Sequence, residues 1–330
     1  MPSNLIERIG SMTLASLLKS SVARAGRTAA GAALGLGLTV TLLASAPAVA
    51  FAQAAPAAVP AAQGDGPALW VIKDDDSTLY LFGTVHVLRP TTAWGSPKVD
   101  AAFDASQNVI FEISNPDDQA AIQPLIGQYG VSPDRPLSSL LTAEEIAELN
   151  TAAQTIGATA AQLDPLRPWL VGLTLSVAPL VRAGYDPQSG VETILKARAE
   201  AAGKPISGFE TIDEQVRILA TLSEETQVAF LRATLESYED ATTELDALVA
   251  AWAAGDVEGI ERLGVDEMRS ASEEIYQALL ARRNANWADQ IQTLLAGSGT
   301  TFIAVGSAHL AGDDSVQEIL EDRGVTVTRQ

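Results

Sequence analysis

The chain has 330 residues, with 21 Lys and Arg against 41 Asp and Glu, two histidines, no cysteine and a formal net charge of −20. A field of that sign excludes non-specific binding to nucleic acid or to an anionic leaflet. Without cysteine there is no disulfide, and any metal must be held by nitrogen and oxygen ligands.

Lys19, Arg24 and Arg27 precede a small-apolar run from Ala29 to Leu43, followed by Ala48-Val49-Ala50 and Ala52-Gln53-Ala54. A basic start, an apolar stretch and A-x-A sites are the pattern of a secretory signal peptide over 1–54; an uncleaved anchor is the competing reading. The expected location is therefore the periplasm or cell envelope. Residues 1–54 hold four of the 21 basic and one of the 41 acidic residues, so the remainder carries 17 and 40, a net −23. Residues 55–67 are Ala, Pro, Gln and Gly apart from Val59 and Asp65, with little bulky apolar surface, and are read as a disordered linker. The folded domain is expected over 68–330, with no later segment long and apolar enough to span a bilayer.

Ala68–Ile72 and Leu79–Val87 predict a hairpin around a polar turn. Ser96-Pro97 starts a helix reaching Ala105, and Val109–Ile113 reads as a strand. Thr142 and Glu145 form a capping box for a helix over Ala143–Ile156. Helices Pro168–Ala183 and Gly190–Ala202 follow, the latter closed by Gly203, and then strand Pro205–Phe209. Long helices are expected over Glu224–Ala253 and Met268–Leu295, with a short one after Asp256. Strand Thr300–Val305, helix Ser315–Asp322 and strand Val325–Thr328 complete the chain. The fold class is mixed α/β, with many helices around a central mixed sheet.

An internal echo runs through this pattern. Leu81-Phe82-Gly83-Thr84-Val85-His86 and Ala304-Val305-Gly306-Ser307-Ala308-His309 are both apolar strands leading into G-x-x-H. They predict two related halves meeting in one sheet, and both histidines of the chain occupy equivalent places in it. Alternation along extended strands places Thr84 with His86, and Ser307 with His309, on shared faces. In open α/β sheets ligands bind beyond the carboxyl ends of strands, where both histidines would emerge.

Glu112 interrupts the apolar run Val109-Ile110-Phe111-Glu112-Ile113. It is either a buried carboxylate needing a partner or a water-facing residue of an edge strand. Glu210 ends its strand in the same manner. Glu192 opens a helix, where a helix-dipole role is the simpler explanation. Arg283 and Asn284 lie on the last long helix, on a solvated face or facing a carboxylate or oxyanion. There is no G-x-S-x-G elbow, Walker loop or dinucleotide fingerprint.

These residues together carry a resemblance. Gly83-Thr84-Val85-His86 and Val305-Gly306-Ser307-Ala308-His309-Leu310 resemble the two histidine signatures of the TraB/PrgY/GumN family. Phe111-Glu112, Gly190-Val191-Glu192, Gly203-Lys204-Pro205, Phe209-Glu210-Thr211 with Gln215, and Arg283-Asn284 with Trp287 resemble its intervening elements, in order. Glu192 stands where the family has aspartate, and Phe209 where it has leucine. The resemblance implies a mixed sheet similar to the erythromycin-esterase/ChaN-like group and a Tiki-like, metal-dependent hydrolase acting on a peptide or other small substrate. It implies that His86, Glu112 and His309 line a site for a divalent metal ion (Mn, Co or Zn) that lowers the pKa of a bound water. Glu210 is then a further ligand or the general base, and Arg283 stabilises the oxyanion. The alternative is a non-catalytic envelope protein that sequesters a peptide, haem or metal in the same cleft.

Overall fold

A computed structural model describes residues 59–330, Asp117 excepted. Residues 1–54, read from the sequence as a signal peptide, and residues 55–58 lie outside the described residues. Residues 59–67 run beside the loop ahead of the first helix, where Ala62 N–H donates to the Gly95 carbonyl at 2.9 Å and Gly95 N–H to that of Pro60 at 2.9 Å. Among the described residues no helix is long and apolar enough to cross a membrane.

Six strands form one mixed sheet: β1 Leu69–Lys73, β2 Ser77–Thr84, β3 Asn108–Ile113, β4 Ile206–Glu210, β5 Gly299–Gly306 and β6 Val327–Arg329. Their order is β4-β3-β5-β2-β1-β6. The four strands β4, β3, β5 and β2 are parallel, while β1 pairs antiparallel with both β2 and β6. The mixed α/β class and the hairpin are as read from the sequence. The two echoing strands are direct neighbours, with Gly83 opposite Val305 and Thr84 opposite Gly306.

Strand alternation sorts the core onto two faces. Phe82, Val109, Phe111, Phe302 and Ala304 belong to one hydrophobic cluster. Leu79, Leu81, Ile110, Ile303 and Val305 belong to another, which includes Trp287, Ala288 and Ile291 of helix Arg282–Leu295. A separate helical layer, built from helices Ala143–Gln154, Pro168–Arg182 and Glu224–Glu236, packs its own apolar cluster. The Thr142–Glu145 capping box is present, and Gly203 has φ +65° just past the end of its helix.

Several element boundaries differ from the sequence reading. The helix expected over Glu224–Ala253 is two, Glu224–Glu236 and Ala241–Ala253, parted without glycine or proline. The segment expected as one helix from Met268 to Leu295 is interrupted at Ser272, where the backbone is extended, and by a π-turn at Gln277–Ala281. Helices Gln119–Tyr129 and Ile212–Ala220 were absent from the reading. β5 stops at Gly306, and Ser307–Leu310 coil into a 3₁₀ turn, so Ser307 and His309 do not share a strand face.

Candidate active site at the carboxyl ends of the parallel strands

The four parallel strands end side by side, Ile113 opposite Glu210 and Thr84 opposite Gly306. Each contributes one of the residues singled out in the sequence. His86 follows β2, Glu112 lies near the end of β3, Glu210 ends β4 and His309 follows β5. Arg283 enters from helix Arg282–Leu295, which covers the Ile110 and Glu112 face of β3. All five sequence-nominated residues therefore meet in one place.

β3 is an interior strand and Glu112 is buried, so the edge-strand reading of this residue does not hold. Its Oε1 accepts from the Gly306 N–H at 2.8 Å; Oε2 accepts from Arg283 Nη2 at 2.6 Å and Gln215 Nε2 at 3.1 Å. Burial favours the neutral acid, but Arg283, with the histidines and the Gly306 N–H, holds the carboxyl at a pKa of about 2. Glu210 is tied to the same arginine. Its Oε1 accepts from Arg283 Nε at 2.8 Å and Trp287 Nε1 at 2.9 Å, and its Oε2 from Arg283 Nη2 at 2.9 Å and Gln215 Nε2 at 3.2 Å. Arg283 is buried rather than on a solvated face, and Nη1 also donates to the Leu279 carbonyl at 3.0 Å. Every N–H of the guanidinium is thus engaged within the protein, as are both Glu210 oxygens. Neither side chain is free for the oxyanion or general-base role implied by the family resemblance.

The two histidines are held differently. His309 is fully buried, its ring centroid 4.3 Å from that of Trp287. Arg283 Nη1 lies 3.0 Å from its Nε2, and Asn284 Oδ1 lies 2.5 Å from its Nδ1. Asn284 Nδ2 donates to the Asp314 carbonyl at 2.7 Å, which turns the amide oxygen toward the ring. Burial first, and Arg283 second, push the pKa of His309 well below its ordinary value. The neutral ring then carries its proton on Nδ1 and accepts from Arg283 at Nε2.

His86 is paired with a carboxylate. Its Nδ1 is 2.7 Å from Glu192 Oε1, which also accepts from the Thr84 hydroxyl. Burial opposes a charge here, but Glu192, with a smaller part from Glu112, raises its pKa to about 9. Glu192 is positioned because helix Val191–Ala201 starts against the β2 loop, where Val191 N–H donates to the Val85 carbonyl at 3.0 Å. A Cβ on the preceding Gly190 would lie 2.1 Å from the His86 carbonyl oxygen, so only glycine permits this approach. Sequence reasoning gave Glu192 a helix-dipole role and missed its pairing with His86. The one signal was Gly190 immediately before it.

Four buried polar atoms here have no hydrogen-bond partner: His86 Nε2, Glu192 Oε2, Gln215 Oε1 and Ser307 Oγ. His86 and Glu192 also reach solvent, with side chains 10% and 17% exposed. A Cβ built on Gly306 would lie 3.1 Å from Glu112 Oε1, 3.5 Å from His86 Nε2 and 3.5 Å from His309 Cδ2. The two histidines and Glu112 therefore converge on one backbone position.

Whether this set suits a divalent metal is decided by its lone pairs. Both nitrogens of His309, both oxygens of Glu210 and one oxygen of Glu112 are engaged by Arg283, Asn284, Gln215 and Trp287. The other Glu112 oxygen faces the Gly306 N–H, which leaves His86 Nε2 as the one unpartnered nitrogen. A metal needs three or four convergent donors, and among the described residues no group of three or more His, Asp or Glu side chains is disposed to hold one. His86, Glu112 and His309 do not fit a metal as they stand.

A protein from Treponema pallidum (strain Nichols), described as uncharacterized, is 23% identical, over 77% of this chain and 80% of its own length. The uncharacterized protein YbaP of Escherichia coli (strain K12) is 21% identical, over 56% of this chain and 67% of its own. YbaP of Shigella flexneri matches to the same extent. No solved structure matches the chain. The model of the TraB/PrgY/gumN family matches residues 68–329, and the chain belongs to that family.

Proposed function

We propose that this protein is a hydrolase of the cell envelope, acting on a peptide or other small substrate, with His86 as the group that moves the proton. The observation that carries the reading is the pairing of His86 Nδ1 with Glu192 while Nε2 stays unpartnered at the strand ends. A carboxylate on one ring nitrogen fixes the tautomer and orientation of the imidazole and stabilises its protonated form. Neutral His86 takes a proton from water at Nε2 as the water oxygen attacks the substrate carbonyl carbon. The imidazolium then returns that proton to the departing nitrogen as the C–N bond breaks. The envelope location rests on the leader pattern of residues 1–54.

Arg283 holds Glu112, Glu210 and His309 as one rigid wall beside this dyad, which supports precise placement of the substrate. No metal is given a step, because Glu112 and His309 are engaged by Arg283, Asn284, Gln215 and the Gly306 N–H, which leaves His86 Nε2 as a single donor.

The test is turnover of a fluorogenic peptide library by the wild-type chain beside His86→Ala and Glu192→Gln. The expected loss for His86→Ala is roughly 10²- to 10⁴-fold. Equal rates in wild type and His86→Ala would sink the proposal. The unpartnered Nε2, Glu192 Oε2 and Ser307 Oγ also suit a binding protein whose ligand completes them. Stoichiometric retention of peptide or haem without turnover is the mark of that second reading.

A further inference from the structure

The donors that a divalent cation would use already face a cation. Arg283 Nη2 is 2.6 Å from Glu112 and 2.9 Å from Glu210, Nε is 2.8 Å from Glu210, and Nη1 is 3.0 Å from His309 Nε2. Two carboxylates and an imidazole are the donor types of a first-row divalent site, here spread around the nitrogens of a guanidinium and not drawn in to metal-binding distance of one point. The guanidinium is permanently charged, and its planar fork matches carboxylate geometry. It is also fixed from behind, 4.7 Å over the Trp287 ring and bonded to the Leu279 carbonyl at 3.0 Å.

Removing one partner from a buried ion pair leaves an uncompensated charge, so these carboxylates always need a positive neighbour. A metal ion can enter only by displacing the arginine, and the arginine is anchored by its own helix. We propose that Arg283 is the resident cation of this site and stands in the place of a divalent metal. The wild-type chain then binds no metal there, and loss of the guanidinium opens the place to one. This concerns occupancy, not turnover, so it stands or falls separately from the hydrolase reading.

Cobalt is the probe, because its d–d absorption reports coordination by nitrogen and oxygen. The full chain is titrated with CoCl₂, followed by absorption and calorimetry, as wild type, Glu112→Gln, Arg283→Met, and Arg283→Met combined with Glu112→Gln. Wild type is expected to show no saturable d–d band. Arg283→Met is expected to bind cobalt stoichiometrically and to lose it in the double variant. Stoichiometric cobalt in the wild type that disappears in Glu112→Gln overturns the proposal. A folded Arg283→Met that binds none overturns it as well. Should Arg283→Met unfold, recovery of its circular dichroism on adding cobalt supports the proposal, since such metal binding is coupled to folding. Failure to recover at saturating cobalt overturns it.

Discussion

Glu192 Oε1 sits 2.7 Å from His86 Nδ1, and the opposite nitrogen of the same ring has no partner. The pair makes His86 a titrating group above neutrality, at about 9. If neutral His86 accepts the proton of water, kcat/KM rises with pH up to about 9 and then levels. Glu192→Gln removes the charge that raises this pKa, so the rise moves to lower pH. The imidazole resonances of His86 in an NMR titration, set against a pH–rate profile, check both shifts.

The same pair links stability to pH. His86 is raised in the folded state, so its contribution is fully present below about 6.5 and is lost as pH climbs toward 9. The size of that contribution is on the order of 3 kcal/mol. Urea denaturation of wild type and Glu192→Gln between neutral and alkaline pH should converge as the pH rises. Curves that stay parallel would count against the charge pairing.

Glu112 titrates in the opposite sense. Its pKa of about 2 is depressed, so its stabilisation is present above its ordinary value near 4.5 and is lost as pH falls toward 2. Glu112→Gln leaves Arg283 without one of its two buried carboxylates, which should cost about 3–5 kcal/mol. The denaturation midpoint at neutral pH gives the answer; a change below about 1 kcal/mol would mean that Gln215 and Glu210 compensate for the lost charge.

Gly306→Ala tests the meeting point of the site. The added methyl lies 3.1 Å from Glu112 Oε1 and 3.5 Å from His86 Nε2 and His309 Cδ2, tighter than ordinary contact for the carboxylate. A displacement of that kind is expected to lower kcat/KM by about 100-fold. Stability should fall by only about 1–3 kcal/mol, the range for an overpacked core position. Rate and melting temperature measured on one preparation separate the two effects.

Chelation is the fifth test. With the guanidinium in place of a metal, turnover should survive overnight dialysis against EDTA and should not rise on adding Mn²⁺, Co²⁺ or Zn²⁺. Activity lost to EDTA and restored by one of these ions would require the carboxylates to exchange arginine for metal during the reaction.

The strands and the residues at their ends were legible because apolar runs ending in G-x-x-H are local patterns. Glu210, Glu112 and Arg283 were nominated singly, but their mutual contacts depend on which strand lies beside which. Arg283 follows a π-turn at Gln277–Ala281, which shifts the face its helix presents, and hydrophobic periodicity carries no mark of such a turn. Helix Gln119–Tyr129 was obscured by Pro124 and Gly127 within it. Helix Ile212–Ala220 did announce itself, since Thr211 and Glu214 form a capping box, but it is only nine residues long. The role of Glu192 was hidden because its partner lies more than a hundred residues earlier.

The position of β5 has a consequence for when the site can exist. It is among the last segments of the chain, yet it lies between β2 and β3 and pairs with both. Until Gly299–Gly306 arrives, the strands carrying His86 and Glu112 have no common neighbour, and His309 has not been made. Closing so long a loop is slow and comes late in folding. A chain that has not yet reached Gly299–Gly306 therefore cannot assemble this site, and the groups at the strand ends come together only once that segment is free to fold.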